Sequence, residues 1–418
     1  MCGLAPNAAT IIAGRVIAGI GGGGLNCIST FITSDLIPLR RRGLWQGYGN
    51  LVFGLGMGLG GVFGGFLADR FSWRWAFLIQ VPFIVVSAVM VYFLVDIPVN
   101  PSTKPALRRI DFLGSGLLVS SLVLFLLGLN TGGNQLPWSH PLIITSLVLS
   151  GVILAAFLYL ESTPRWVPEP VIPVTVVAGT RTVLAACLTN WFSTMSAILA
   201  LYYVPLYLQI RGLSSTAAGL RVIPFAVTTA FGSLGSGYVM RATGRYYWLN
   251  VTTMLIFVLG TALLCTFELN SPNWATYTYV TPLGFAYGSM LTVTLVAMIS
   301  AVDHEHQAVI TAASYAFRST GSTIGITIGS ALFQNILTRE LQDEYGGMPD
   351  SDTIIRHIRD SLETVKHLPK GWSRDVVMSI YMDGLRGAFV SGLGLAILAA
   401  LAGLGMKEHI LHTNLSRK

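Results

Sequence analysis

Two arginines fall inside segments that otherwise carry no charge. Arg15 lies within the apolar segment 10–34 and Arg318 within 308–336. A cation at membrane depth is expensive, so it is paired, faces a cavity or reaches back to the interface. Contact with a substrate, a proton site or a counter-ion is the chemistry open to such residues. A snorkelling side chain is the other reading, and both stay open. Asp35, beside Pro38 and the Arg40–Arg42 cluster, is a gate ion-pair partner or a solvated helix end.

Uncharged polar residues punctuate the same segments. Asn26, Asn50 and Asn190 fall where a side-chain amide must find a partner or line water. They are the cavity candidates, and Trp191 beside Asn190 could face a substrate. Tyr202 and Tyr203 further along read as an aromatic belt or as substrate contacts. Glycines crowd the first two segments. Gly19-Ile-Gly21-Gly-Gly-Gly24 fits GxGxxG but sits inside an apolar run, so a dinucleotide site is rejected. Gly19, Gly56, Gly60, Gly64 and Gly65 instead read as helix-packing and gating positions, since small residues let backbones approach. No catalytic constellation stands out, and no metal or cofactor is expected. Asp303-His304-Glu305-His306 reads as a solvated connection, and the four cysteines as small apolar packing residues.

The elements that position these residues follow from charge. Charged residues are 11% of the 418 and apolar ones 53%, with a mean hydropathy of +0.64. Uncharged runs such as 44–68, 75–95, 182–210 and 246–267 recur along the chain. About 20 apolar helical residues cross a bilayer core, so the fold class is an all-α polytopic membrane protein with about eleven helices. They are predicted at 10–34, 46–68, 74–96, 111–130, 141–160, 183–208, 216–240, 247–268, 275–301, 308–336 and 382–406. Basic residues gather at alternate connections: Arg40–Arg42, Lys104, Arg108, Arg109, Arg165, Arg181, Arg241, Arg245 and the C-terminal Lys407, Arg417 and Lys418. The positive-inside rule puts those connections and the C-terminus in the cytosol. The net charge of +7 is explained in the same way, which removes the case for nucleic acid. The sequons Asn250-Val-Thr252 and Asn414-Leu-Ser416 would then be cytosolic and unglycosylated.

Four strings carry a family resemblance. Ile12-Ala-Gly-Arg15-Val-Ile-Ala-Gly19-Ile-Gly21 resembles the fourth-helix motif of the major facilitator superfamily, with its embedded arginine. Gly56-Met-Gly-Leu-Gly60-Gly61-Val-Phe-Gly64-Gly65 resembles the antiporter motif gxxxGPxxGG, with Gly61 where the motif has proline. Trp73-Arg74-Trp75-Ala-Phe77-Leu-Ile79-Gln80-Val-Pro82 is similar to a string of the fourteen-helix drug:proton antiporter branch. Gly237-Tyr-Val-Met-Arg241-Ala-Thr-Gly244-Arg245 resembles a degenerate GxLxDRxGR loop, which implies gating roles for Arg241 and Arg245.

The resemblance implies the major facilitator fold, with these helices as numbers four to fourteen and the first three missing from a partial chain. It implies a remainder of an N-terminal bundle over 1–96, an extra helix pair with linkers over 97–170 and the first part of a C-terminal bundle over 171–337. A non-cytosolic segment with an amphipathic surface helix over 338–381, and a last helix and tail over 382–418, complete the expected organisation. The expected function is proton-coupled antiport of small organic cations by alternating access, into the vacuole or out of the cell, across the vacuolar or plasma membrane. Partners would be substrate, protons and the lipid bilayer, with a monomeric protein and a proton gradient instead of a cofactor. The alternatives are a non-transporting receptor or scaffold, and an inactive fragment.

Overall fold

The computed structural model describes residues 1–37, 39–94, 111–132, 136–163, 171–172, 174–303, 306–348, 350–360, 368–369, 371–372 and 373–409. Only the backbone is described for residues 26, 27, 30, 31, 33–36, 39–43, 57, 308 and 360. Among these residues ten helices are long and apolar enough to cross a membrane, and there is no β-strand.

The first helices are α1 (Ala8–Leu36) and α2 (Leu39–Arg70), followed by α3 (Trp73–Leu78) and α4 (Gln80–Leu94). A hairpin of α5 (Phe112–Thr131) and α6 (Pro141–Glu161) comes next, then the short α7 (Val174–Gly179). The rest is α8 (Arg181–Ile210), α9 (Ser215–Leu220), α10 (Ile223–Thr243), α11 (Tyr247–Cys265), α12 (Asn273–Thr278), α13 (Val280–Ser300), α14 (Gln307–Tyr345), α15 (Ser351–Asp360) and α16 (Arg374–Gly403).

Three predicted spans are each broken into two helices. The breaks at Ile79, Arg221–Val222 and Tyr279 precede Pro82, Pro224 and Pro282 by two or three residues. Proline lacks an N–H and crowds the carbonyl four residues back, so the preceding turn gives way. Pro205 is the contrast, accommodated inside α8.

The predicted span 308–336 is a helix, α14, but it is not among the ten. Ser314, Ser319, Thr320, Ser322, Thr323, Thr327 and Ser330 dilute its apolar content. At 39 residues it is about 58 Å long, nearly twice the bilayer core. Its end, α15 and the start of α16 therefore occupy much of the segment expected as a loop. The amphipathic helix α15 does not lie on a membrane surface with its apolar face. Ile355 and Ile358 are buried in the protein core with Trp372, whose ring stacks on Tyr345 at 4.1 Å.

The main core joins α8, α11, α13, α14 and α16 through Tyr203, Tyr207, Phe257, Leu283, Tyr287, Phe333 and Phe389. Tyr203 therefore leaves the aromatic belt for the interior, while Tyr202 is 55% exposed. Helix α4 buries no residue, and Tyr92, Phe93 and Leu94 are more than 70% exposed. An apolar surface of this extent has lipid, not water, as its solvent.

Candidate functional site

Helix α2 lies against α9 and α10 along a seam of small residues. Gly47, Gly54, Gly58, Gly61 and Gly65 recur on one helical face. A Cβ at Gly47, Gly54 or Gly58 would come within 2.9 Å of Leu234, the Ala226 carbonyl oxygen or the Ala226 side chain. One at Gly65 would come within 2.9 Å of the Ser215 backbone, and one at Gly219 within 2.7 Å of the Gly61 carbonyl oxygen. The seam ends where the Asp69 carboxylate accepts from the Thr216 hydroxyl at 2.5 Å and the Thr216 N–H at 3.1 Å.

A polar cluster sits in this seam. The Asn50 amide, 3% exposed, donates to the Ser233 hydroxyl of α10 at 2.9 Å and to the Thr292 hydroxyl of α13 at 3.4 Å. Ser233 and Thr292 share a hydrogen bond of 2.6 Å. Gln46 donates to the Asn50 carbonyl at 3.4 Å. Three helices are thus tied by side chains that would be costly to leave unpaired in a dry interior.

A second cluster lies between α8 and α14. The Asn190 amide donates to the Ser314 hydroxyl at 3.0 Å and the Ser314 carbonyl at 3.2 Å. Trp191 meets Phe317 edge-on, with centroids 6.1 Å apart, and Gly321 leaves the room that the indole occupies. The Trp191 Nε1–H is buried without a hydrogen-bond partner. Ser314, Phe317 and Gly321 form one face of α14, toward α8. The neighbouring face carries Tyr315 and Arg318. The Arg318 guanidinium lies 5.5 Å from the ring centre of Phe53 on α2 and 5.1 Å from that of Tyr315.

The two clusters sit at one depth. Asn190 and Arg318 follow the starts of α8 and α14 by about ten residues, and Ser233 and Thr292 precede the ends of α10 and α13 by about as many. Ten residues at about 1.5 Å each put this polar layer about 15 Å in from one end of the bundle. Arg181, Arg241, Arg245 and Lys407 mark that end. The C-terminal tail is clasped there. The Glu408 carboxylate accepts from the N–H groups of Tyr246 and Tyr247 at 2.7 and 3.0 Å, and the Tyr246 hydroxyl donates to the Lys407 carbonyl at 2.6 Å. At the other end a pocket of about 570 Å³ is lined by Glu340, Asp343, Glu344 and Asp375.

Of the residues singled out from sequence, the structure brings Asn50, Asn190, Trp191 and Arg318 into this layer. Arg15 is exposed on α1, outside these contacts. Asn26 and Asp35 lie on α1 with side chains outside the described residues. Gly65 is in the seam, whereas Gly19, Gly56, Gly60 and Gly64 face open space. Arg241 and Arg245 are exposed at the end of α10, where Gly244 turns the chain at φ 70°. Phe53, Ser233, Thr292, Ser314, Tyr315 and Phe317 complete the layer and were not singled out. Serines, threonines and aromatics are common in membrane helices, so nothing in their type marked them.

These features define a class: an all-α, multi-pass membrane protein with a polar layer buried between packed helices. The chain belongs to the Major Facilitator Superfamily, whose family description matches residues 1–326. It is 38% identical to "Multidrug resistance protein fnx1" of Schizosaccharomyces pombe, across 100% of this chain and 79% of the relative. It is 32% identical to "Vacuolar membrane amino acid uptake transporter fnx2" of the same yeast, across 93% of this chain and 67% of the relative. "Vacuolar basic amino acid transporter 2" of Saccharomyces cerevisiae is also 32% identical, across 85% of this chain and 77% of the relative. Two of these three relatives are transporters by name, and the chain is a member of a family of membrane transporters.

Proposed function

We propose that this chain is a secondary active transporter that exchanges protons for small organic cations by alternating access. The observation that carries the reading is the polar layer around Asn50, Asn190 and Arg318, where α2 meets α10, α13 and α14, and α14 meets α8. Alternating access moves packed bundles against one another around a fixed site. A seam of glycines and hydroxyls suits such motion, because it has few bulky side chains to repack.

Two features support a cationic substrate. Aromatic faces at the layer attract cations. The acid-lined pocket between α14 and α16 would raise the local concentration of cations at its end of the bundle. The names of the relatives make basic amino acids and cationic drugs the substrates to try first. The protein would act as a monomer in the vacuolar or plasma membrane with its C-terminus in the cytosol, taking its energy from the proton gradient.

The test is flux. Reconstituted in liposomes under an imposed pH gradient, the full-length protein moves radiolabelled L-lysine or L-arginine, or a cationic dye, and a protonophore stops it. A protein that moves none of these under either polarity of the gradient would falsify the reading.

A further inference from the structure

We propose that Arg318 is a tethered cation that fills the binding place of the transported cation and is displaced by it. The inference rests on the transport reading above. The Arg318 guanidinium lies 5.5 Å from the Phe53 ring and 5.1 Å from the Tyr315 ring, both inside the roughly 6 Å over which a ring face attracts a cation. Among the described residues it has no carboxylate partner. A carboxylate would hold the guanidinium in place. Ring faces hold it weakly and release it to another cation that presents itself.

The two rings belong to different helices, Phe53 to α2 and Tyr315 to α14. The guanidinium therefore bridges them, and a substrate that displaces it breaks that bridge. Phe53 is 37% exposed and Arg318 is half-buried, so an incoming cation can reach the rings and the arginine has room to leave. Trp191 of α8 packs on the neighbouring face of α14, and its indole N–H has no partner among the described residues. The N–H is buried in this conformation, so it would meet the carbonyl or carboxylate end of an amphiphilic substrate, with a guanidinium or ammonium in place of Arg318, only once α8 and α14 part. The ligand class is thus an organic cation with a guanidinium- or ammonium-sized head.

The test is L-arginine binding to the purified full-length protein in lipid nanodiscs, read by calorimetry, with tetraethylammonium as a second probe. Arg318→Met keeps an unbranched stem and removes the charged head, and is expected to tighten binding by about 3- to 10-fold. Phe53→Leu is expected to weaken binding by a comparable factor. The double variant discriminates between mechanisms. A tether gains less from Arg318→Met once the Phe53 ring is gone and only Tyr315 still holds the guanidinium, whereas simple charge repulsion gives the same gain in either background. If Arg318→Met does not give monodisperse protein, Arg318→Gln is read in the same way. Unchanged or weaker binding in Arg318→Met and Arg318→Gln, or a gain of undiminished size in the Phe53→Leu background, overturns the tether and leaves the transport reading standing. Binding of neither probe by the unsubstituted protein counts against the transport reading itself.

Discussion

The side-chain amide of Asn50 donates to the hydroxyl of Ser233 at 2.9 Å, joining α2 to α10 across 183 residues of sequence. Thr292 completes the cluster, so a single amide on α2 reaches two further helices, α10 and α13. Hydrogen bonds in membrane bundles contribute modestly, about 0.6 kcal/mol on average and up to about 1.7. Asn50→Ala removes its two donated bonds and the one accepted from Gln46, while leaving Ser233 and Thr292 bonded to each other. The expected loss is about 1 kcal/mol of stability, seen as a lower Tm of the purified protein in detergent. An unchanged Tm would show that the amide does not hold the seam.

Two glycine substitutions separate packing from mere helix content. A Cβ at Gly288 of α13 would fall on the Thr229 carbonyl of α10, so Gly288→Ala forces apart two helices in backbone contact. The expected result is a large loss of folded yield. Gly56 faces open space, and Gly56→Ala there gains about 0.5–1 kcal/mol from reduced chain entropy. Folded yield and Tm of the two variants should therefore move in opposite directions.

The tail clasp has its own signature. Glu408→Ala leaves the N–H groups of Tyr246 and Tyr247 without their acceptor at the start of α11. Losing such a cap costs about 1 kcal/mol. Faster hydrogen exchange confined to the first turn of α11 and the tail is expected. Exchange at the unsubstituted rate would mean that the carboxylate caps nothing.

Burial pushes the Tyr246 hydroxyl up to about 12, with the nearby Glu408 charge adding to the shift. The sign follows from proton counting. Between the ordinary phenol value of about 10 and the folded value, the unfolded chain has lost a proton that the folded chain keeps. Stability from this group is full below pH about 10 and is lost as pH rises through about 12. Tyr246→Phe flattens that alkaline slope in a thermal-shift titration, and an unaltered slope would assign the loss to other groups.

The Asn250 sequon offers a simple check on accessibility. Its side chain is fully buried and its amide donates to the Gly403 carbonyl at 3.2 Å. Protein made in yeast is expected to carry no glycan at Asn250, and a mass shift at that residue on glycosidase treatment would contradict the packing of α11 on α16.

Much of this was legible in the sequence because charge is costly in lipid. Uncharged runs and basic connections located most of the spans to within a few residues. Arg318, Asn50, Asn190 and Trp191 stood out because each is a conspicuous group in an apolar setting. Their partners did not stand out. Ser233, Thr292 and Ser314 matter only through what faces them, and facing is a property of packing. The glycines show the same limit. Glycine occurs on every face of α2 between Gly54 and Gly65, so composition announced close packing without saying which face provides it. Gly47, Gly54, Gly58 and Gly61 lie in the seam, while Gly56, Gly60 and Gly64 point away from it. The helix breaks at Ile79 and Tyr279 needed the proline rule applied inside spans that hydropathy alone shows as continuous. The length of α14 was hidden because its outer part is as polar as a loop.

Alternating access, as proposed, would part α2 from α9 and α10 along their seam. Asp69 and Thr216 meet there at 2.5 Å, so Asp69→Cys with Thr216→Cys places two thiols within reach of a disulfide. The measurement is cation flux into proteoliposomes before oxidation, after oxidation and after reduction. Loss of flux on oxidation with recovery on reduction is the predicted result. Undiminished flux through fully cross-linked protein would contradict it.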